Sequence, residues 1–100
     1  MKHNKTFEVS GTSLQGYVQA TKAELVSAFG EPLWTYGQEE KVTIEWGLLF
    51  EDQTIATIYD WKRYEQGTPA NDELMTYNIG GLTPRAVDLV KKALAQKGVN

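Results

Sequence analysis

The chain contains no cysteine. Disulfides and thiolate metal sites are therefore excluded, and the composition suits a reducing compartment. Histidine is almost as scarce: the single one, His3, lies in a polar N-terminal stretch. There is no histidine cluster for a metal, no cysteine nucleophile and no serine in a G-x-S-x-G elbow. No apolar run is long enough to cross a bilayer, and the opening MKHNKTFEVSG lacks the apolar stretch of a signal peptide. A cytoplasmic protein with no membrane partner is expected. Basic charge is also short: ten Lys and Arg stand against thirteen Asp and Glu, a net charge of −3. Broad nucleic-acid binding needs a basic surface and is disfavoured. No repeat or linker divides the 100 residues. They read as a single domain, 1–100, with the polar residues 1–5 fraying. No cofactor and no metal is expected.

Aromatic residues are plentiful by contrast, with three Trp, five Tyr and three Phe. Several fall in Lys41 to Lys62, KVTIEWGLLFEDQTIATIYDWK, which reads as a β-hairpin with strands at about 41–50 and 54–62. A two-residue turn at Asp52-Gln53 sets Phe50 opposite Ile55, Leu48 opposite Thr57, Trp46 opposite Tyr59 and Ile44 opposite Trp61. That face is apolar, aromatic or β-branched, as a buried sheet face requires. The other face then pairs Leu49 with Ala56, Gly47 with Ile58 and Glu45 with Asp60.

Two helices flank the hairpin. Thr21 and Glu24 form a T-x-x-E capping box for a helix over 21–29, with Gly30 and Pro32 as stop signals. Thr83 and Pro84 open a second helix, about 84–97, with Ala86, Leu89, Val90, Ala93 and Leu94 as its apolar stripe. Thr6 to Ser10 and Met75 to Ile79 read as further strands. Gly11 to Val18, with Leu14 and Tyr17 amid polar residues, reads as a loop or short turn, and Tyr64 to Leu74 as an exposed loop. The expected fold is α+β: a small antiparallel sheet, order β-α-β-β-β-α, with both helices on one face.

Three features bear on chemistry. Glu45 opposite Asp60 would put like charges in contact, a pairing relieved by a cation, a shared proton or a basic partner. The bland alternative is two solvated carboxylates screened by Lys41 and Lys62. The run Asn78-Ile79-Gly80-Gly81-Leu82-Thr83-Pro84 leads through two glycines into a helix N-terminus. Free N–H groups there suit phosphate or carboxylate, and Arg85 adds a cation. An ordinary turn with a positive-φ glycine explains the same residues. The aromatics Trp34, Tyr36, Trp46, Tyr59, Trp61, Tyr64 and Tyr77 offer stacking surfaces, with core packing preferred for Trp46 and Tyr59. Catalysis has little support, so a non-enzyme is expected.

The series YVQATKAELVSAFGEP, KVTIEWGLLFEDQTIATIYDWK and YNIGGLTPRAVDLVKKAL resembles a family of small bacteriophage-encoded proteins. The resemblance rests on the A-T-x-x-E-L-V-x-x-F-G-x-P block from Ala20 to Pro32, E-W at Glu45-Trp46, A-T-I-Y-D-W from Ala56 to Trp61 and I-G-G from Ile79 to Gly81. The family pattern has Asp-Gly where this chain has Asp52-Gln53, and Trp-His where it has Tyr77-Asn78. The resemblance carries no activity with it. It implies a phage accessory protein in the cytoplasm of the bacterial host, and by analogy of context a counter-defence inhibitor that acts by binding. One version sequesters a nucleotide-derived immune signal, using Gly80, Gly81, Leu82, Thr83 and Arg85 for phosphate and Tyr77 or Trp61 for the base. A homo-oligomer would help so small a chain enclose a ligand. A second version binds a host defence protein directly, in the manner of an anti-CRISPR. A third is a small nucleotide- or sugar-directed enzyme using Glu45 and Asp60. A fourth is a phage structural or regulatory subunit.

Overall fold

The computed structural model describes residues 12–32, 34–35, 44–60 and 70–96. The element order is β1 (Ser13–Ala20), α1 (Lys22–Phe29), β2 (Trp34–Thr35), β3 (Ile44–Leu49), β4 (Ile55–Tyr59), β5 (Met75–Gly81) and α2 (Arg85–Gln96). The strands form one sheet in the order β1-β5-β4-β3-β2, with every neighbouring pair antiparallel. Successive antiparallel pairings leave β1 and β2 running the same way at opposite edges. The chain passes between them through α1. The fold is α+β with both helices on one face, as expected from the amphipathic patterns. The expected strand at Thr6 to Ser10 lies outside the described residues.

Local chemistry sets α1. The Thr21 hydroxyl accepts from the Glu24 N–H at 3.1 Å, and the Glu24 carboxylate accepts from the Thr21 N–H at 2.8 Å. Both halves of the capping box are therefore made. At the other end Gly30 holds φ 86 and ψ −169, a backbone region almost reserved for glycine, and its N–H donates to the Val26 carbonyl. The Trp46 indole N–H donates to the Gly30 carbonyl at 2.9 Å. That bond ties the helix C-terminus to β3.

The hairpin register differs from expectation by one residue. Trp46 pairs with Ile58 and Glu45 with Tyr59. The turn has three residues, Glu51, Asp52 and Gln53. The Gln53 N–H donates to the Phe50 carbonyl and the Phe50 N–H to the Thr54 carbonyl. Gln53 takes φ 73. A two-residue hairpin turn demands glycine-like backbone at one or both central positions, which Asp52-Gln53 supplies poorly. A three-residue loop concentrates the demand on one residue and leaves a bulge. The slip exchanges the faces of β4 relative to β3. Ile44, Trp46, Leu48, Ala56 and Ile58 now lie together under the helices, all buried.

The segment read as a loop at Gly11 to Val18 is largely strand. β1 pairs with β5 from Ser13↔Gly81 to Ala20↔Met75, with a bulge between Leu14 and Gly16. The second helix starts at Arg85, after an opening turn in which the Ala86 N–H donates to the Thr83 carbonyl. Ala86, Val90 and Leu94 face the sheet and are buried. Two glycines let α2 come close. A Cβ on Gly81 would sit 2.7 Å from the Ala86 Cβ, and one on Gly16 would sit 2.8 Å from Val87 Cγ2. Tyr77, from β5, meets the Trp46 ring edge-on in the core, centroids 6.0 Å apart.

Candidate binding face

The face of the sheet turned away from the helices carries a polar and aromatic row. The register sets Glu45 (β3) beside Tyr59 (β4), Tyr59 beside Asn78 (β5), and Asn78 beside Tyr17 (β1). Tyr59 and the Asn78 side chain share a hydrogen bond. Burial pushes the Tyr59 hydroxyl above its ordinary pKa; Asn78 opposes that rise, while Glu45 and Tyr17 add to it. Burial likewise raises the Glu45 carboxyl. A half-buried acid beside a phenol and an amide is suited to accept hydrogen bonds from a cationic or amide-rich partner.

Glycine makes room for this row. A Cβ on Gly80 would fall 2.5 Å from Thr57 Oγ1 and 3.5 Å from a ring carbon of Tyr59. Gly80 therefore serves close approach on the helix-free face, whereas Gly81 serves it on the helix face. Neither takes positive φ; Gly30 is the positive-φ glycine among the described residues.

The β1 bulge shapes the exposed end of the face. Residues three apart point to opposite sides of a regular strand. The register shift between Leu14 and Gly16 instead pairs Leu14 with Gly80 and Tyr17 with Asn78, so both side chains share the helix-free face. They are 48% and 54% exposed. Two large apolar groups thus meet the solvent next to the polar row.

The residues expected to bind an anion are placed differently from one another. Gly80 and Gly81 lie within β5, paired to β4 and β1, rather than in an open turn. Tyr77 is fully buried and cannot stack on a ligand. Leu82 and Thr83 are exposed. The Arg85 guanidinium donates to the Asp52 carboxylate of the hairpin turn. Hydrogen bonds from Thr54, then Arg85, hold the Asp52 carboxyl down at about 2. A hollow of about 190 Å³ lies beside Leu82 and Thr83, and Asp52 lines it. A carboxylate at that wall disfavours an anion. Trp61 lies outside the described residues.

Glu45 and Asp60 are not opposite one another. The one-residue slip makes Tyr59 the partner of Glu45 and leaves Asp60 just past the end of β4, fully buried, with its Oδ1 accepting from the Ile44 N–H at 3.1 Å. Glu45 is half-buried on the helix-free face. The expected facing pair of carboxylates is therefore not formed. Tyr59, expected in the core beside Trp46, is half-buried on the helix-free face for the same reason. The signal for the bulge was Gly16 within a weakly alternating segment, since glycine in a strand often marks one. Among the described residues no group of three or more His, Asp or Glu could hold a metal. No described helix is long and apolar enough to cross a membrane.

No protein-family model, curated protein or solved structure matches the chain.

Proposed function

We propose that the chain acts by binding and not by catalysis, as a phage-type counter-defence inhibitor that contacts a host defence protein directly. The working surface is the helix-free face, from Leu14 and Tyr17 to the Asn78, Tyr59 and Glu45 row. The observation that carries the reading is the β1 bulge, which brings two exposed apolar side chains to the margin of a polar row. Exposed aromatic and apolar groups next to hydrogen-bonding side chains are what a protein partner requires. Bulges are found where a strand re-aims a side chain for a purpose. The phage context comes from the sequence blocks at Ala20 to Pro32 and Ala56 to Trp61.

Sequestration of a nucleotide is less well supported, because Arg85 is engaged by Asp52 and Tyr77 is in the core. The test is expression in bacteria that each carry one defence system, with phage plating as readout. Plating restored in one such strain is the expected result. No restoration in any strain removes the counter-defence reading, and restoration accompanied by a co-purifying nucleotide favours sequestration.

A further inference from the structure

Among the described residues β1 is an edge strand, and its second half carries no device that discourages pairing. β1 is eight residues long, SLQGYVQA, and holds no charged residue and no proline. It pairs with β5 on one side and is the terminal strand of the sheet among the described residues. Edge strands are ordinarily blunted by charge, proline, shortness or a bulge. Here the bulge lies between Leu14 and Gly16 and leaves Gly16–Ala20 as regular ladder. We propose that Gly16–Ala20 pairs antiparallel with the same segment of a second copy, joining two sheets into one across a two-fold axis at Val18.

A two-fold axis makes an edge strand antiparallel to its own copy without further adjustment. Centred on Val18, the pairing sets Gly16 opposite Ala20, Tyr17 opposite Gln19, and Val18 opposite itself. No like charges meet in any register of an uncharged strand, so the second copy is an acceptable partner where a charged edge would reject itself. The surface beside the segment has room for the incoming side chains. A hollow of about 340 Å³ is lined by Tyr17, Val18, Gln19, Thr76 and Lys91. The proposed register delivers Tyr17 of the second copy to Gln19, at the rim of that hollow. It also places the two helix-free faces side by side, doubling the surface. The inference stands apart from the identity of any host target.

Sedimentation equilibrium of the full chain tests it, together with two double variants at the exposed positions 17 and 19. Wild type is expected at the mass of two chains in the high micromolar range. Tyr17→Lys/Gln19→Lys brings like charges opposite each other twice and is expected at one-chain mass, with unchanged circular dichroism. Tyr17→Glu/Gln19→Lys brings opposite charges together and is expected to restore the two-chain mass. Wild type at one-chain mass, or a Tyr17→Lys/Gln19→Lys variant that remains dimeric, overturns the proposal. A Tyr17→Glu/Gln19→Lys variant that stays monomeric overturns the register centred on Val18.

Discussion

Thr21 shows what a single residue declares in advance. Its partner Glu24 is three positions away, so the capping box needs no knowledge of the rest of the fold. Thr21→Ala is expected to cost about 1 kcal/mol, read as a lower midpoint in urea denaturation. Asp60 is the opposite case. Its buried place beside the Ile44 N–H depends on a turn that slips by one residue, and nothing in its neighbours in the chain announces that slip. Because it is buried and accepts from the Ile44 N–H, it is a supporting residue and not half of a repelling pair. Asp60→Ala is expected to cost roughly 1–3 kcal/mol, since a buried donor loses its acceptor. A neutral effect in the same denaturation experiment would contradict that role. Glu45 adds a pH dependence. Its folded pKa lies above the ordinary 4.5 because burial disfavours the carboxylate. The folded chain therefore keeps this proton to higher pH than the unfolded chain, and stability falls as pH rises through and beyond 4.5. Glu45→Gln is expected to raise the denaturation midpoint relative to wild type at neutral pH. The difference should close well below 4.5, where both states hold the proton. A difference that does not change with pH would count against the burial account.

Among the elements, α1 and α2 were legible because helical signals repeat within a few residues. Strand β1 was not. Its Leu14 and Tyr17 fall three apart, which fits a helix stripe and not a strand period until the bulge is known. The hairpin was legible as an element but not in register, because Asp52-Gln53 admits a three-residue loop as well as a two-residue one. From sequence alone the glycine pair at positions 80 and 81 suits a helix start open to an anion, or an ordinary strand-to-helix turn. In the fold it is strand, and each glycine clears space on a different face. Gly81→Ala is expected to press α2 off the sheet at Ala86, at a cost of about 1–3 kcal/mol in chemical denaturation. A variant as stable as wild type would show that α2 shifts freely and that the close approach is not required.

For the molecule as a whole, the α+β architecture followed from the two amphipathic helices and the hairpin, while the proposed working surface did not. Gly80, Gly81, Leu82, Thr83 and Arg85 fall within six residues of chain and so suggest a site. The row Glu45, Tyr59, Asn78 and Tyr17 is gathered from four strands, and only pairing brings it together. Sequence proximity favours the first set and sheet geometry the second. The two surfaces are far enough apart in chemistry to be separated by substitution. Leu14→Asp/Asn78→Ala alters the helix-free face and leaves the residues of Gly16–Ala20 themselves unchanged. Arg85→Glu removes the cation at the helix start and its bond to Asp52, with both side chains exposed. The deciding measurement is phage plating on the defended strain that wild type overcomes, repeated with these two variants at matched expression and thermal stability. The account predicts that Arg85→Glu still restores plating and that Leu14→Asp/Asn78→Ala does not. Loss of plating with Arg85→Glu, and its retention with Leu14→Asp/Asn78→Ala, would contradict a working surface on the helix-free face.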